Sequence, residues 1–191
     1  MGASLQMAPW RRTKKAPPIR HWLKDTHAAA AVEFSLLLPI MLMMLALAMY
    51  GGEGFSIQNK VSLSASTVTD IVSQYSTISN ATLANVLNVA SATITPYGTA
   101  NLSLVVSEIQ TNNSGAGTVV WSKAAFNGTA LATGGSFTLP TALALPNTYY
   151  IYGSAQYVYT PMNVYQSLAQ ITISDASYMP PRVSTSIALT P

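Results

Sequence analysis

A stretch of 19 residues without a charged side chain constrains this chain more than any other feature of its sequence. It runs from Phe34 to Gly52 and reads FSLLLPIMLMMLALAMYGG. A helix rises about 1.5 Å per residue, so the stretch covers roughly 28 Å, close to the thickness of a bilayer's hydrocarbon core. The sequence therefore predicts one membrane-spanning helix, which occupies residues 29–52 when the preceding alanines are included.

The charges on either side of this segment predict its orientation. Six of the nine basic residues lie before position 28, and none lies within seven residues after Gly52. By the positive-inside rule, the leader of residues 1–28 stays in the cytoplasm and everything after Tyr50 is exported. The six residues are Arg11, Arg12, Lys14, Lys15, Arg20 and Lys24.

A cleavable secretory signal is the alternative interpretation of the same pattern. Such a signal has an apolar core of about 7–15 residues followed by a small-x-small cleavage site. The apolar run here is longer, and the sequence GGEGFSIQNK that follows contains no clear site of that kind. Both features favour a retained membrane helix, and a secreted protein with an unusually long signal stays as a rival.

The composition of the remaining chain argues against a cytosolic enzyme. Charged residues make up 8% of the sequence, whereas a soluble protein carries about 25%. Both histidines, His21 and His27, precede the membrane segment, and the chain contains no cysteine. We therefore expect no catalytic site, no metal and no cofactor. From Ala28 onward acidic residues outnumber basic ones, so nucleic-acid binding is not expected either.

Glu33 is the charged residue at the start of the apolar region. A carboxylate costs about 2.5–3.5 kcal/mol at the bilayer centre and less near an interface. One interpretation places Glu33 at headgroup depth in the first turn of the helix, where the helix dipole favours a negative charge. The other gives Glu33 a functional contact, and its position alone leaves both open.

The residues around Glu33 resemble the opening of a known family. The string AAAAVEF that ends at Phe34, followed by SLLLPI, is similar to the AAVEFALVLP signature of TadE/TadG-like proteins of the tight-adherence (Flp-type) pilus system. The similarity covers Thr26 to about Tyr75, with a weaker echo at 171–175 and 179–182. It implies a pseudopilin-like protein of the bacterial inner membrane. The short TadE-like form fits, because the Asp-x-Ser-x-Ser site of the longer members is absent.

The resemblance also implies a processing site and assembly residues. A prepilin peptidase would cut between Ala28 and Ala29, which makes Glu33 the fifth residue of the mature chain. This chain has Ala28 where such peptidases prefer Gly. In pilins the glutamate pairs with the α-amino group of a neighbouring subunit, which offsets the cost of burying both charges. Glu33 and Phe34 are thus the implied assembly residues, and the implied partners are the membrane, other pilin-like subunits and pilus assembly proteins.

The exported part is expected to have an α+β fold. Apolar residues from Ile57 to Tyr75 recur every three or four positions, so the membrane helix should continue as an amphipathic stem to about Ser79. Asn80 is expected to cap a second helix that ends before Pro96, which makes residues 53–95 helical. A pilin-like antiparallel sheet of four or five strands should follow within residues 96–191 and pack on the stem. The expected strands begin at Asn101 and cover Thr118–Ser122, Ser136–Leu139, Tyr149–Tyr159 and Gln170–Ser174.

Two details of this sheet are also predicted. A bulge or kink near Gly153 is expected to divide the tyrosines of the strand Tyr149–Tyr159 between both faces. Arg182, which follows two prolines, is expected to pair with an acidic group such as Asp175.

The function predicted from these features is that of a minor pseudopilin or assembly factor of a tight-adherence pilus, which acts by packing and not by catalysis. The alternative is a membrane-tethered periplasmic module that binds a glycan or a protein partner. In that case the tyrosines at 149–159 would stack on sugars.

Overall fold

The computed structural model describes residues 26–160 and 170–191. The chain divides into two units, residues 1–47 and residues 48–191. One helix, α1, extends from Thr26 to Ser73 and contributes to both units. The second unit contains the second helix and the strands, and the following paragraphs describe it by itself unless they state otherwise.

The two parts of α1 differ in burial. Every described side chain from Ala30 to Leu45 is exposed, and the helix runs unbroken through Pro39. In the second unit, one face of α1 is buried in the core. The buried positions follow the predicted helical period, and they are Ile57, Val61, Ala65, Val68 and Val72.

The stem helix ends at Ser73, six residues before the predicted end. The amides of Gln74 and Tyr75 bond to carbonyls three residues back, which tightens and ends the helix. The backbone N–H of Arg182 donates to the Ser73 carbonyl at 2.8 Å. The chain then forms a short strand, β1 (Thr77–Ser79), so the prediction of helix up to Ser79 is wrong.

The second helix, α2, spans Asn80–Ser91 and ends before Pro96, as predicted, and a short 3-10 turn follows it. Its N-cap is Ser79 and not Asn80, because the Ser79 hydroxyl accepts the Thr82 N–H at 3.1 Å. The four apolar residues expected on one face are buried together, and they are Leu83, Val86, Leu87 and Ala90.

A five-stranded antiparallel sheet follows, in the order β4-β3-β2-β5-β6. An α+β arrangement is therefore confirmed. A final strand, β7, pairs in parallel with β1, and neither of these two short strands was predicted. The bounds are β2 Leu102–Thr111, β3 Gly117–Phe126, β4 Ser136–Phe137, β5 Tyr149–Tyr159, β6 Ile171–Met179 and β7 Ala188–Thr190.

Strand β5 contains no bulge in its register with either neighbour, so that detail of the prediction is wrong. The tyrosines lie on both faces because side chains of a regular strand alternate between its two faces. Tyr157 and Tyr159, at odd-numbered positions, lie on the side of α1, whereas Tyr150 packs in a separate cluster on the other face. Gly153 instead lies directly against α1. A Cβ there would collide with Thr69 Oγ1 and lie 2.8 Å from the Ala65 carbonyl oxygen.

The bulge of this sheet lies in β3. Glu108 pairs with Trp121 and Ile109 with Val119, which leaves Val120 as the extra residue. A bulge shifts the alternation of side chains between the two faces. Val119 accordingly packs in the cluster with Ile109, whereas Trp121 packs in the main core together with α1 and α2.

Candidate functional site

The predicted assembly residues lie on the exposed part of α1. Glu33 is the eighth residue of the helix, so the interpretation that placed it in the first turn is wrong. Both Glu33 and Phe34 are exposed, and Phe34 keeps 60% of its surface accessible. Among the described residues, Glu33 has neither a hydrogen-bond nor an ion-pair partner; the one ion pair found there joins Arg182 and Asp70.

The predicted processing residues, Ala28 and Ala29, lie within the first turn of α1. Their side chains lie outside the described part of the structure. The cleavage between them stays a prediction.

The segment that follows Glu33 is the apolar helix predicted from sequence. Its most apolar 18-residue window has a mean hydropathy of 2.2 and none of it is buried within the chain. By length and composition, α1 is the one helix among the described residues that could cross a membrane. This finding is compatible with a single-pass membrane protein.

The polar contacts of the second unit fasten its elements to one another. Near the start of β2, Tyr159 donates a hydrogen bond of 2.8 Å to Glu53 on α1. Burial, followed by the neighbouring Glu53 carboxylate, raises the pKa of Tyr159 to about 12. Also on α1, the Lys60 ammonium donates to the carbonyl oxygens of Thr93 (3.4 Å) and Thr95 (2.5 Å), which joins α1 to the end of α2.

Arg182 pairs with an acidic group, as predicted, but its partner is Asp70 and not Asp175. Its guanidinium lies 2.6 Å from the Asp70 carboxylate, in the last turn of α1. Together with the bond from its backbone N–H to the Ser73 carbonyl, this contact places a cation at a helix C-terminus, where the helix dipole favours positive charge. Asp175 accepts a bond from the backbone N–H of Ala176 instead.

Glu108 and Trp121 hold both polar groups of one backbone residue. The Glu108 carboxylate accepts the Ile187 N–H at 2.6 Å, and the Trp121 indole N–H donates to the Ile187 carbonyl at 2.8 Å. Glu108 and Trp121 lie opposite each other in the β2–β3 register, so they reach the same peptide segment. Ile187 itself is completely buried in the main core. We call this arrangement the Ile187 clamp.

The clamp contains a buried carboxylate without a cationic partner among the described residues. Glu108 is 1% exposed. Burial raises its pKa, an effect opposed by the hydrogen bond from the Ile187 amide. A cleft of about 500 Å³ lies beside it, lined among others by Thr133, Tyr149 and Leu189.

Neither the clamp nor a role for Glu108 was predicted from the sequence. A signal was present, because Leu102, Leu104 and Val106 alternate inward and Glu108 continues that alternation. The partner residue Ile187 is 79 positions away, and nothing in the sequence connects the two.

A polar pocket of about 320 Å³ lies at the β2–β3 turn, at the opposite end of β2 from Tyr157 and Tyr97. It contains no charged side chain. The Asn112 side-chain oxygen is held by three donors from Ser114 and Ala116, and the Asn147 amide donates to Asn113 at 2.7 Å. The lining residues are Gln110, Thr111, Asn112, Asn113, Thr118 and Asn147.

These features define the class of protein. It is an α+β domain built around the second part of a long helix, whose first part is apolar and exposed. Within residues 26–160 and 170–191, no group of three His, Asp or Glu side chains is arranged to hold a metal ion. Comparison with protein-family models, curated proteins and solved structures finds no match.

Proposed function

We propose that this protein is a minor pseudopilin or assembly factor of a tight-adherence (Flp-type) pilus, anchored in the bacterial inner membrane by α1 with its leader in the cytoplasm. The observation that carries the proposal is the division of α1 into two parts. The apolar part from Ala30 is wholly exposed, whereas the later part supplies the central face of a folded α+β domain. A helix used in this way both anchors a domain and offers a long surface to other helices.

The exposed apolar side chains of α1 require a cover, because apolar surface of this extent is costly in water. Lipid covers such a helix when it is alone, and neighbouring helices cover it in an assembly. Leucine and methionine dominate this part of α1, and methionine adapts to irregular helix contacts. Phe55 and Leu63 extend the exposed apolar surface beyond the membrane segment.

Glu33 supplies the specific contact in this proposal. An exposed carboxylate that has no partner among the described residues would gain stability on meeting a cation of a neighbouring subunit in an apolar setting. Its best candidate is a free α-amino group, which peptidase cleavage before Ala29 would create. Pairing of Glu33 with that group would then determine the axial register between two neighbouring α1 helices.

The test of this role is substitution of Glu33 by alanine. Glu33→Ala should leave membrane insertion intact, because removing a charge lowers the cost of burying the helix. Pilus assembly or adherence should fall several-fold, measured by pilus recovery from sheared cells and by attachment assays. Ser35→Ala is the matched control, since it removes a polar group two residues further along the same helix and should leave both readings unchanged. Unchanged adherence in Glu33→Ala would contradict the role.

Identifying the first residue of the mature chain tests cleavage before Ala29. It also distinguishes the pseudopilin from a membrane-tethered module and from a secreted protein. Mass spectrometry of the purified protein should show a chain that begins at Ala29. An intact leader would instead favour a membrane-tethered module, and a chain that begins beyond Tyr50 would show that the apolar segment is a removed signal.

The polar pocket at the β2–β3 turn favours the second candidate function, a membrane-tethered module that binds a glycan. Neutral amide and hydroxyl groups suit the hydroxyls of a sugar, and two of the asparagines are already held in place by hydrogen bonds. Binding to a panel of neutral glycans, lost in Asn112→Ala and kept in Asn59→Ala on the exposed surface of α1, would support this function.

A further inference from the structure

Strand β7 is attached to the domain in the way that a bound peptide is attached to its receptor. It forms a three-residue parallel ladder with β1, in which Thr77 pairs with Ala188. Before this ladder, the Ile187 clamp binds the backbone of one residue through side chains, and the Ile187 side chain fills a site in the main core. Backbone bonds combined with one buried anchor are the elements by which domains bind extended segments.

The segment that connects β7 to the sheet has few attachments of its own. Residues 180–186 lie between β6 and Ile187 and contain no helix or strand. Its contacts with α1 are those of Arg182, whose ion pair with Asp70 is formed by side chains that are 53% and 41% exposed. Exposed pairs of this kind contribute little to stability.

From these contacts we infer that the groove formed by β1, Glu108 and Trp121 accepts residues 187–190 of a second copy of the chain, so that exchange of β7 links neighbouring copies. The occupant follows from the structure, since the chain's own segment already fills the groove. Exchange reproduces the same hydrogen bonds and the same buried side chain in the partner, so its cost is the rearrangement of the connecting segment and the freedom that two copies lose on association. This inference rests on the proposed function in one respect, because that function brings copies side by side.

The length of the connecting segment permits the exchange. Seven residues span at most about 25 Å when fully extended. Helices in contact lie about 8–10 Å apart, so copies whose α1 helices pack together are within this reach. A high local concentration in such an array favours an exchange that dilute chains would rarely make.

Disulfide trapping tests the exchange directly, because the chain contains no cysteine. Thr77 and Ala188 are exposed and lie opposite each other in the parallel register, a separation that a disulfide can bridge. Two full-length variants, Thr77→Cys and Ala188→Cys, are co-expressed in membranes and oxidised. Exchange predicts a disulfide-linked heterodimer, at least about tenfold more abundant than with the control pair Thr118→Cys and Ala188→Cys. Thr118 is equally exposed but lies on β3.

The double variant Thr77→Cys with Ala188→Cys completes the test. Covalent dimers and larger species support exchange. A bridge formed only within single chains, together with no heterodimer in the mixed pair, would overturn it. The absence of any bridge would show that β7 does not lie on β1 and would overturn it as well.

The disulfide test of β7 exchange and the Glu33→Ala test of the proposed function can succeed or fail independently of each other. A trapped heterodimer with unchanged adherence in Glu33→Ala would support exchange and contradict the pilus role of Glu33. Loss of adherence in Glu33→Ala with bridges only within single chains would overturn exchange and leave the pilus proposal supported.

Discussion

At the scale of single residues, Glu108 links the stability of the domain to pH. Its pKa is raised by burial in the folded chain, so the folded state binds its proton more tightly than the unfolded state does. The stability that this group contributes is therefore fully present below its unfolded pKa of about 4.5 and is lost as the pH rises through the folded value. Each unit of increase in the folded pKa corresponds to about 1.4 kcal/mol lost at high pH.

We therefore expect the melting temperature of the full-length protein in detergent to fall as the pH rises above about 4.5. Glu108→Gln cannot titrate, and it should flatten this part of the profile. Asp175→Asn, which alters a carboxylate at a half-buried position on β6, is the control and should keep the wild-type slope. A wild-type slope in Glu108→Gln would show that other groups cause the pH dependence.

Residue roles could be predicted from the sequence only where local pattern determines them. The helical period that begins at Ile57 gave the correct buried face of α1. The partners of Arg182 and Glu108 were wrong or missed, because Asp70 and Ile187 are distant in sequence and meet only through the fold. The role of Glu33 depends on another molecule and stays a prediction.

At the scale of elements, the contact of α1 with β5 depends on Gly153. No side chain fits there, since a Cβ would meet Thr69 Oγ1 and the Ala65 carbonyl. Gly153→Ala must therefore push the helix away from the sheet, and such overpacking typically costs about 1–3 kcal/mol. We expect the midpoint of chemical denaturation to fall accordingly, with an unchanged slope.

Gly98→Ala is the matched control for this prediction. Nothing lies within 4 Å of a Cβ at Gly98, and its φ of −73° suits alanine. Combining Gly153→Ala with Thr69→Ala should recover part of the loss, because it removes the hydroxyl and leaves the Ala65 carbonyl. Equal stability of Gly153→Ala and Gly98→Ala would contradict the close contact.

The long elements were the predictable ones. Strand β5 was placed at its observed bounds, and helix α2 was placed in the correct region with its cap one residue late, because each has a full pattern bordered by turn or capping residues. Strands β1 and β7 have three residues each, too few to show any period, and they exist because they pair with each other across the fold. The predicted bulge at Gly153 was wrong because sequence cannot distinguish a glycine needed for close packing from one needed for a bend.

At the scale of the whole molecule, the order of elements indicated the α+β class, and the five-stranded sheet agrees with the four or five strands expected. The strand order could not be predicted, since alternation shows which face of a strand is buried and not which strands are neighbours. Hydropathy has a similar limit, because it identifies a segment able to cross a membrane but not the orientation of that segment. The charges on either side are needed to predict the orientation.

That orientation is the remaining prediction, and it concerns the molecule as a whole. Six basic residues precede α1, so the leader should stay in the cytoplasm and the α+β domain should be exported. Because the chain has no cysteine, a single introduced thiol reports its own location. In intact spheroplasts, a membrane-impermeant maleimide should label Thr118→Cys, which is exposed on β3, and should label Ser4→Cys in the uncleaved chain only after lysis.

The reverse pattern would contradict the orientation, and labelling of both positions before lysis would contradict the membrane span itself. A variant with the six basic residues replaced by glutamine separates the two determinants. Removing the charges should leave the apolar segment inserted, because hydropathy drives insertion, but should make the labelling of Thr118→Cys incomplete as the orientation becomes mixed. Complete labelling in that variant would show that the folded domain, and not the charge of the leader, determines which side of the membrane it occupies.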